Sequence, residues 1–210
     1  MSFRRLFALS CLAVLVAGCE GGYDGWYVSV RYPSDALNLY NVTIVRPLLS
    51  GFDGQDPRCD QSGGVVPTGM TINNDCTITG APTQAGTFDF SYRVRAENTV
   101  GDYDDRDTLT VRGPTVTYAT HPSAAPLNST VQDVPQIGNW TAPTDGTVLT
   151  WSYRVVGGSL PPGLTLDAAT GTISGQVTST GTYTTNIQAT LTTVYGSYNA
   201  PVSVYQLQVV

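Results

Sequence analysis

The sequence predicts an all-β protein made of two tandem copies of one sandwich domain, set behind a cleaved N-terminal export signal. Three features carry that prediction. The chain echoes itself at an offset of 94 to 95 residues. Its apolar residues alternate with polar ones at period two, and Gly and Pro punctuate it every few residues. Beyond the signal, no segment sustains a 3.6-residue apolar period.

The N-terminus opens with a basic flank, Arg4 and Arg5, followed by an apolar stretch from Leu6 to Ala17. That stretch is too short for a spanning helix, which needs about 20 apolar residues, and suits a secretory signal. Leu15-Val16-Ala17-Gly18-Cys19 then resembles the lipobox of bacterial lipoproteins, in which small residues precede the cysteine that receives lipid. The resemblance implies a signal peptide over 1–18, cleavage before Cys19, and lipid on Cys19, so that the membrane is the first partner. Residues 19–27, Gly-rich with Tyr23 and Trp26, form the lipidated N-terminus and tether. Glu20 follows the cysteine where, in the best-known sorting rule, an Asp would retain the protein in the inner membrane. The expected address is therefore the outer membrane, on its periplasmic or its outer face.

Cleavage changes the charge. All ten basic residues are Arg, two of which leave with the signal, so eight Arg face sixteen acidic residues in the mature chain. A net charge of −8 disfavours nucleic acid and anionic lipid surfaces as partners. Of four cysteines, Cys11 leaves with the signal and Cys19 takes lipid. Cys59 and Cys76 remain, and in an exported protein such a pair reads as one disulfide. A zinc site would need more ligands than these two thiols and the single histidine, His121, provide.

The repeat is legible in three blocks. Val66-Pro67-Thr68-Gly69-Met70-Thr71-Ile72 echoes Leu160-Pro161-Pro162-Gly163-Leu164-Thr165-Leu166. Thr77-Ile78-Thr79-Gly80 echoes Thr172-Ile173-Ser174-Gly175, and Ala85-Gly86-Thr87-Phe88 echoes Thr180-Gly181-Thr182-Tyr183. The first copy is one residue short between the first and second blocks. In that copy Phe88, Phe90, Tyr92, Val94 and Ala96 alternate with polar residues, as a half-buried strand does. In the second, Tyr183, Ile187, Ala189 and Leu191 share a face. Asp167 to Gly171 reads as a hairpin connection with Gly at the left-handed position. Cys76 aligns with Gly171 and Cys59 with Tyr153, so the disulfide is expected to tie neighbouring strands of the first copy, with aromatic packing in its place in the second. The boundary is placed at Arg112-Gly113-Pro114, giving domains over 28–112 and 114–210. So short a connection predicts a semi-rigid pair.

Leu160-Pro-Pro-Gly-Leu-Thr-Leu-Asp-Ala-Ala-Thr-Gly-Thr-Ile-Ser-Gly175, with Gly181-Thr-Tyr183 after it, resembles the putative-Ig repeat of bacterial surface proteins, a relative of the cadherin-like domains of dystroglycan type. The first copy departs from the motif at Asn74-Asp75-Cys76. The resemblance implies Ig-like Greek-key β-sandwiches of about 90 residues each. It leaves function open, because one sandwich hosts many unrelated tasks.

Chemistry-bearing constellations are sparse. His121 lacks a nucleophile elbow around any serine, and no opposed carboxylate pair is placed by strand geometry, so no enzyme is expected. No cofactor is called for, with calcium the one candidate: Asp102, Asp104, Asp105 and Asp107 offer hard oxygen ligands at close spacing. The other reading of that run is a solvated hairpin tip, and the second copy has no acid where the run begins. Tyr195 and Tyr198, with Trp140 and Trp151, are candidate anchors for a sugar or a protein. The sequence thus predicts a membrane-anchored envelope lipoprotein that acts in adhesion, binding or structure through a protein or glycan partner. The alternative is a carbohydrate-binding module built on exposed Tyr and Trp.

Overall fold

A computed structural model describes residues 28–52, 56–95, 103–119 and 124–210. Cys19, the signal, the tether, Asp102 and His121 lie outside the described residues. The described chain is all strand and connection, without helix.

The first domain runs through β1 (Ser29–Arg31), β2 (Leu37–Asn38), β3 (Thr43–Val45), β4 (Leu48–Ser50), β5 (Arg58–Gly64), β6 (Met70–Ile72), β7 (Ile78–Gly80), β8 (Gly86–Arg95) and β9 (Tyr103–Arg112). One sheet has the order β2-β9-β8-β5, and facing it are β3-β7-β6 and the pair β1-β4. The second domain comprises β10 (Thr115–Thr117), β11 (Thr130–Asp133), β12 (Gln136–Gly138), β13 (Thr150–Gly158), β14 (Leu164–Leu166), β15 (Ile173–Gln176), β16 (Gly181–Thr193), β17 (Gly196–Asn199) and β18 (Ser203–Val209). There β16 pairs with β13 on one side and with β17 and then β18 on the other. The facing strands are β11-β15-β14 and the pair β10-β12.

The alternation read in the sequence is what fills each core. Phe90, Tyr92 and Val94 point from β8 onto Val30, Val45, Met70 and Ile78 of the facing strands. Ile187 and Ala189 of β16 do the same against Val131, Leu164 and Ile173. The two copies repeat even their irregularities. β5 shifts register between Gln61 and Gly63 against β8, and β13 does so at the matching positions, Val155 and Gly157. The missing residue of the first copy falls in the β6–β7 turn, where Asn73 N–H donates to the Thr77 carbonyl. In the second copy Asp167 N–H donates to the carbonyl of Thr172, one residue further on.

Two expectations change. The Cys59–Cys76 disulfide forms, with a Cα–Cα distance of 4.8 Å. It joins β5 of one sheet to the β6–β7 turn of the other, rather than two neighbours within a sheet. The described part of the acidic run does not sit at a hairpin tip. Asp104, Asp105 and Asp107 are strand residues of β9, held in register opposite Arg93, Tyr92 and Phe90 of β8. An Asp-rich stretch has turn-like composition, but cross-strand pairing overrides that preference here.

Candidate functional site at the domain junction

Two residues, Gly113 and Pro114, separate β9 from β10, and both are buried. A Cβ on Gly113 would stand 2.3 Å from the Tyr198 ring, so glycine alone lets the β17 tyrosine lie against the linker. Around that contact the two sandwiches share an apolar cluster. Leu39, Tyr40 and Val111 of the first domain meet Leu191 of the second, all buried, with Phe88 and Trp151 packed against them.

Polar contacts fix the same face. Trp140 Nε1–H donates to the Leu39 carbonyl at 2.8 Å. Asn41 Nδ2 donates to the Thr141 carbonyl at 2.7 Å, and Thr141 N–H donates to Asn38 Oδ1 at 3.3 Å. A cleft of about 330 Å³ opens beside these bonds, lined from both domains by Asn38, Asn41, Thr43, Thr141 and Thr144. The Tyr40 ring stacks on Tyr195, with centroids 6.2 Å apart and planes 18° from parallel. Burial raises the Tyr40 pKa, and the Thr193 side chain offsets only part of that rise.

The aromatic candidates therefore do not form an exposed platform. Trp140, Trp151 and Tyr198 pack into the junction, and Tyr195, 41% exposed, has its face on a fully buried tyrosine. Trp151 stacks on Tyr153, which is itself buried. Each ring pair among the described residues has a buried member, so no coplanar pair of exposed rings forms there. The apolar bodies that looked available in the sequence are used between domains.

Strand alternation also divides the acidic candidates. Asp104 lies on one face of β9, where it pairs with Arg93 at 3.0 Å, and this contact holds its carboxyl below the usual range. Asp105 and Asp107 lie on the other face. Asp105 Oδ2 accepts the Tyr103 hydroxyl, and Asp107 Oδ2 accepts the Tyr32 N–H at 2.8 Å. Among the described residues, no three His, Cys, Asp or Glu side chains stand together as a metal would require.

Sequence reading missed a pair of tyrosines that brace the sandwiches. Tyr32 and Tyr118 follow the first strand of their domains and donate to the carbonyls of Cys76 and Gly171, each at 2.7 Å. These contacts span 44 and 53 residues, beyond any local pattern. The signal that marks them is the shared Tyr two residues after the buried valine of the opening strand, Val30 or Val116.

The Putative Ig domain model matches residues 34–112 and again 113–209. The chain belongs to the Putative Ig domain family. No curated protein matches it. Similar solved structures include Drosophila N-cadherin EC1-4, at 13% identity over 73% of this chain and 42% of that one, with a TM-score of 0.33. The titin domains z1z2, solved in complex with telethonin, align at 16% identity over 88% and 96%, with a TM-score of 0.37. The D00-D0 domain of intimin aligns at 14% identity over 85% and 99%, with a TM-score of 0.31. As a tandem of Putative Ig domains, the chain has the build of an adhesion or binding module.

Proposed function

We propose that this chain is a non-enzymatic, lipid-anchored envelope protein that presents two locked Ig-like domains to a protein partner. The observation that carries the reading is the buried Cys59–Cys76 disulfide, which ties the two sheets of the first domain. Such a bond is made and kept in an oxidising, extracytoplasmic compartment. The lipobox-like residues before Cys19 supply the anchor, since each buried methylene of an acyl chain contributes about 0.8 kcal/mol of membrane affinity. A protein is favoured over a glycan because three of the four aromatic candidates, Trp140, Trp151 and Tyr198, are packed into the junction. Strand edges supply the recognition surface. β13 pairs only with β16 among the described strands, and Val155 and Val156 are exposed at its bulge. An open edge of this kind accepts an added strand.

The test compares the tagged wild-type protein with Cys19→Ser. The wild type is expected to incorporate labelled palmitate and to fractionate with outer membranes. Cys19→Ser is expected to lose both label and membrane association. Protease added to intact cells then sorts the two faces: digestion places the domains outside, and protection until lysis places them in the periplasm. A wild type that takes no label, or a Cys19→Ser protein that stays membrane-bound, overturns the anchoring.

A further inference from the structure

Tyr40 is an unusual residue for the place it occupies. Its backbone has φ 65°, a left-handed conformation that Asn and Gly adopt far more readily than an aromatic residue. Its side chain is fully buried, and its hydroxyl makes no hydrogen bond of ordinary geometry; the Thr193 side chain across the junction eases its burial only in part. Both features work against the folded state.

The second domain shows what the same corner looks like without these features. Leu39 N–H donates to the Arg112 carbonyl and Tyr40 N–H to that of Pro82. At the far end of the second domain, Leu127 N–H donates to the Val210 carbonyl and Asn128 N–H to that of Val177. Asn128 also has φ 65°. The corner is therefore the same, but there it carries Asn, and the Leu beside it is exposed rather than buried. The fold does not need an aromatic ring at this position. Leu39, Val111 and Phe88 of its own domain flank Tyr40, but the aromatic ring it stacks on among the described residues, Tyr195, lies across the junction beside Leu191.

We propose that Tyr40 is the keystone of an inter-domain lock, and that the lock makes the two domains one rigid body rather than beads on a hinge. Trp140, reaching the Leu39 carbonyl one residue away, and Tyr198, lying on Gly113, complete it. The lock is independent of the lipid anchor and of any ligand.

The experiment uses the mature chain and Tyr40→Asn, which installs the residue the second domain carries at this corner. Backbone amide relaxation measures the tumbling of each domain separately. The wild type is expected to give one correlation time for both domains. Tyr40→Asn is expected to leave the disulfide and the first-domain core intact, while the correlation times of the two domains separate and fall toward those of single domains. Tyr195→Ser removes the other half of the stack without touching the first domain, and is expected to do the same; it decides the matter if Tyr40→Asn fails to fold. Two independent correlation times in the wild type, or a single unchanged correlation time in Tyr195→Ser and in any folded Tyr40→Asn, overturns the proposal.

Discussion

At the level of single residues, the two domains solve one packing problem with different chemistry. Cys76 and Gly171 occupy the same left-handed turn position, at φ 63° and 72°. Beneath them, Cys59 N–H donates to the Asn74 carbonyl and Tyr153 N–H to the matching carbonyl of Ala168. In the first domain a disulfide fills the space between strand and turn. In the second the Tyr153 ring fills it, and a Cβ on Gly171 would stand 2.7 Å from that ring and 2.9 Å from Pro135. Gly171→Ala therefore combines overpacking with a backbone conformation disfavoured for alanine, and is expected to destabilise the second domain by about 1–3 kcal/mol. Urea unfolding checks this through a lower midpoint at unchanged slope. The alignment of Cys59 with Tyr153 and Cys76 with Gly171 was legible because the repeat places each pair in register. The hydroxyls of Tyr32 and Tyr118 on the same turn were not, because their partners are remote in sequence.

At the level of elements, β9 shows why composition misleads. Its residues from Tyr103 to Asp107 are polar on both faces, so period-two reading finds no apolar face there. The cross-strand partner organises them instead, with Asp104 opposite Arg93 and the Thr108 hydroxyl donating to Asp89 at 2.6 Å. β9 meets β2 only at Val111 and Arg112, so its first half runs along an open edge among the described strands. Asp105 and Asp107 share the face of buried Leu109, and inward-leaning charge on an edge strand discourages pairing with another chain. The disulfide acts at the same scale by tying β5 to the opposite sheet across a sequence separation of 17. Replacing both cysteines, Cys59→Ala with Cys76→Ala, is expected to cost the first domain about 3 kcal/mol. In the wild type, reductant is expected to act slowly under native conditions, because both sulfur-bearing residues are buried. Thiol labelling with and without urea measures that protection, and rapid native labelling after mild reductant would count against it.

For the whole molecule, the apolar pattern identified which residues are buried but not which body buries them. Trp140, Trp151 and Tyr198 have the periodicity of surface or core strands alike, and only the meeting of two domains decides between them. The same aromatic richness sets how the molecule responds to alkali. Tyr32 and Tyr92 in the first domain, and Tyr118, Tyr153 and Tyr205 in the second, all have raised pKa values, with burial the largest cause in each case. Neighbouring carboxylates reinforce this, Asp107 at Tyr32 and Asp133 at Tyr205, where the phenol donates at 2.8 Å. The unfolded chain ionises its tyrosines near pH 10. A group whose folded pKa lies above its unfolded value contributes stability that is complete below the unfolded pKa and is lost as pH rises through the folded one. Stability from these phenols is therefore expected to hold up to about pH 10 and to fall steeply beyond it. Ultraviolet absorbance should then show the exposed tyrosines ionising first, and the buried group ionising only together with the loss of β-sheet circular dichroism. Because buried phenols are spread over both sandwiches and the junction joins them, the late step is expected to be single for the intact chain. Ionisation of the buried group well before the circular dichroism changes would contradict the packing described for these five side chains.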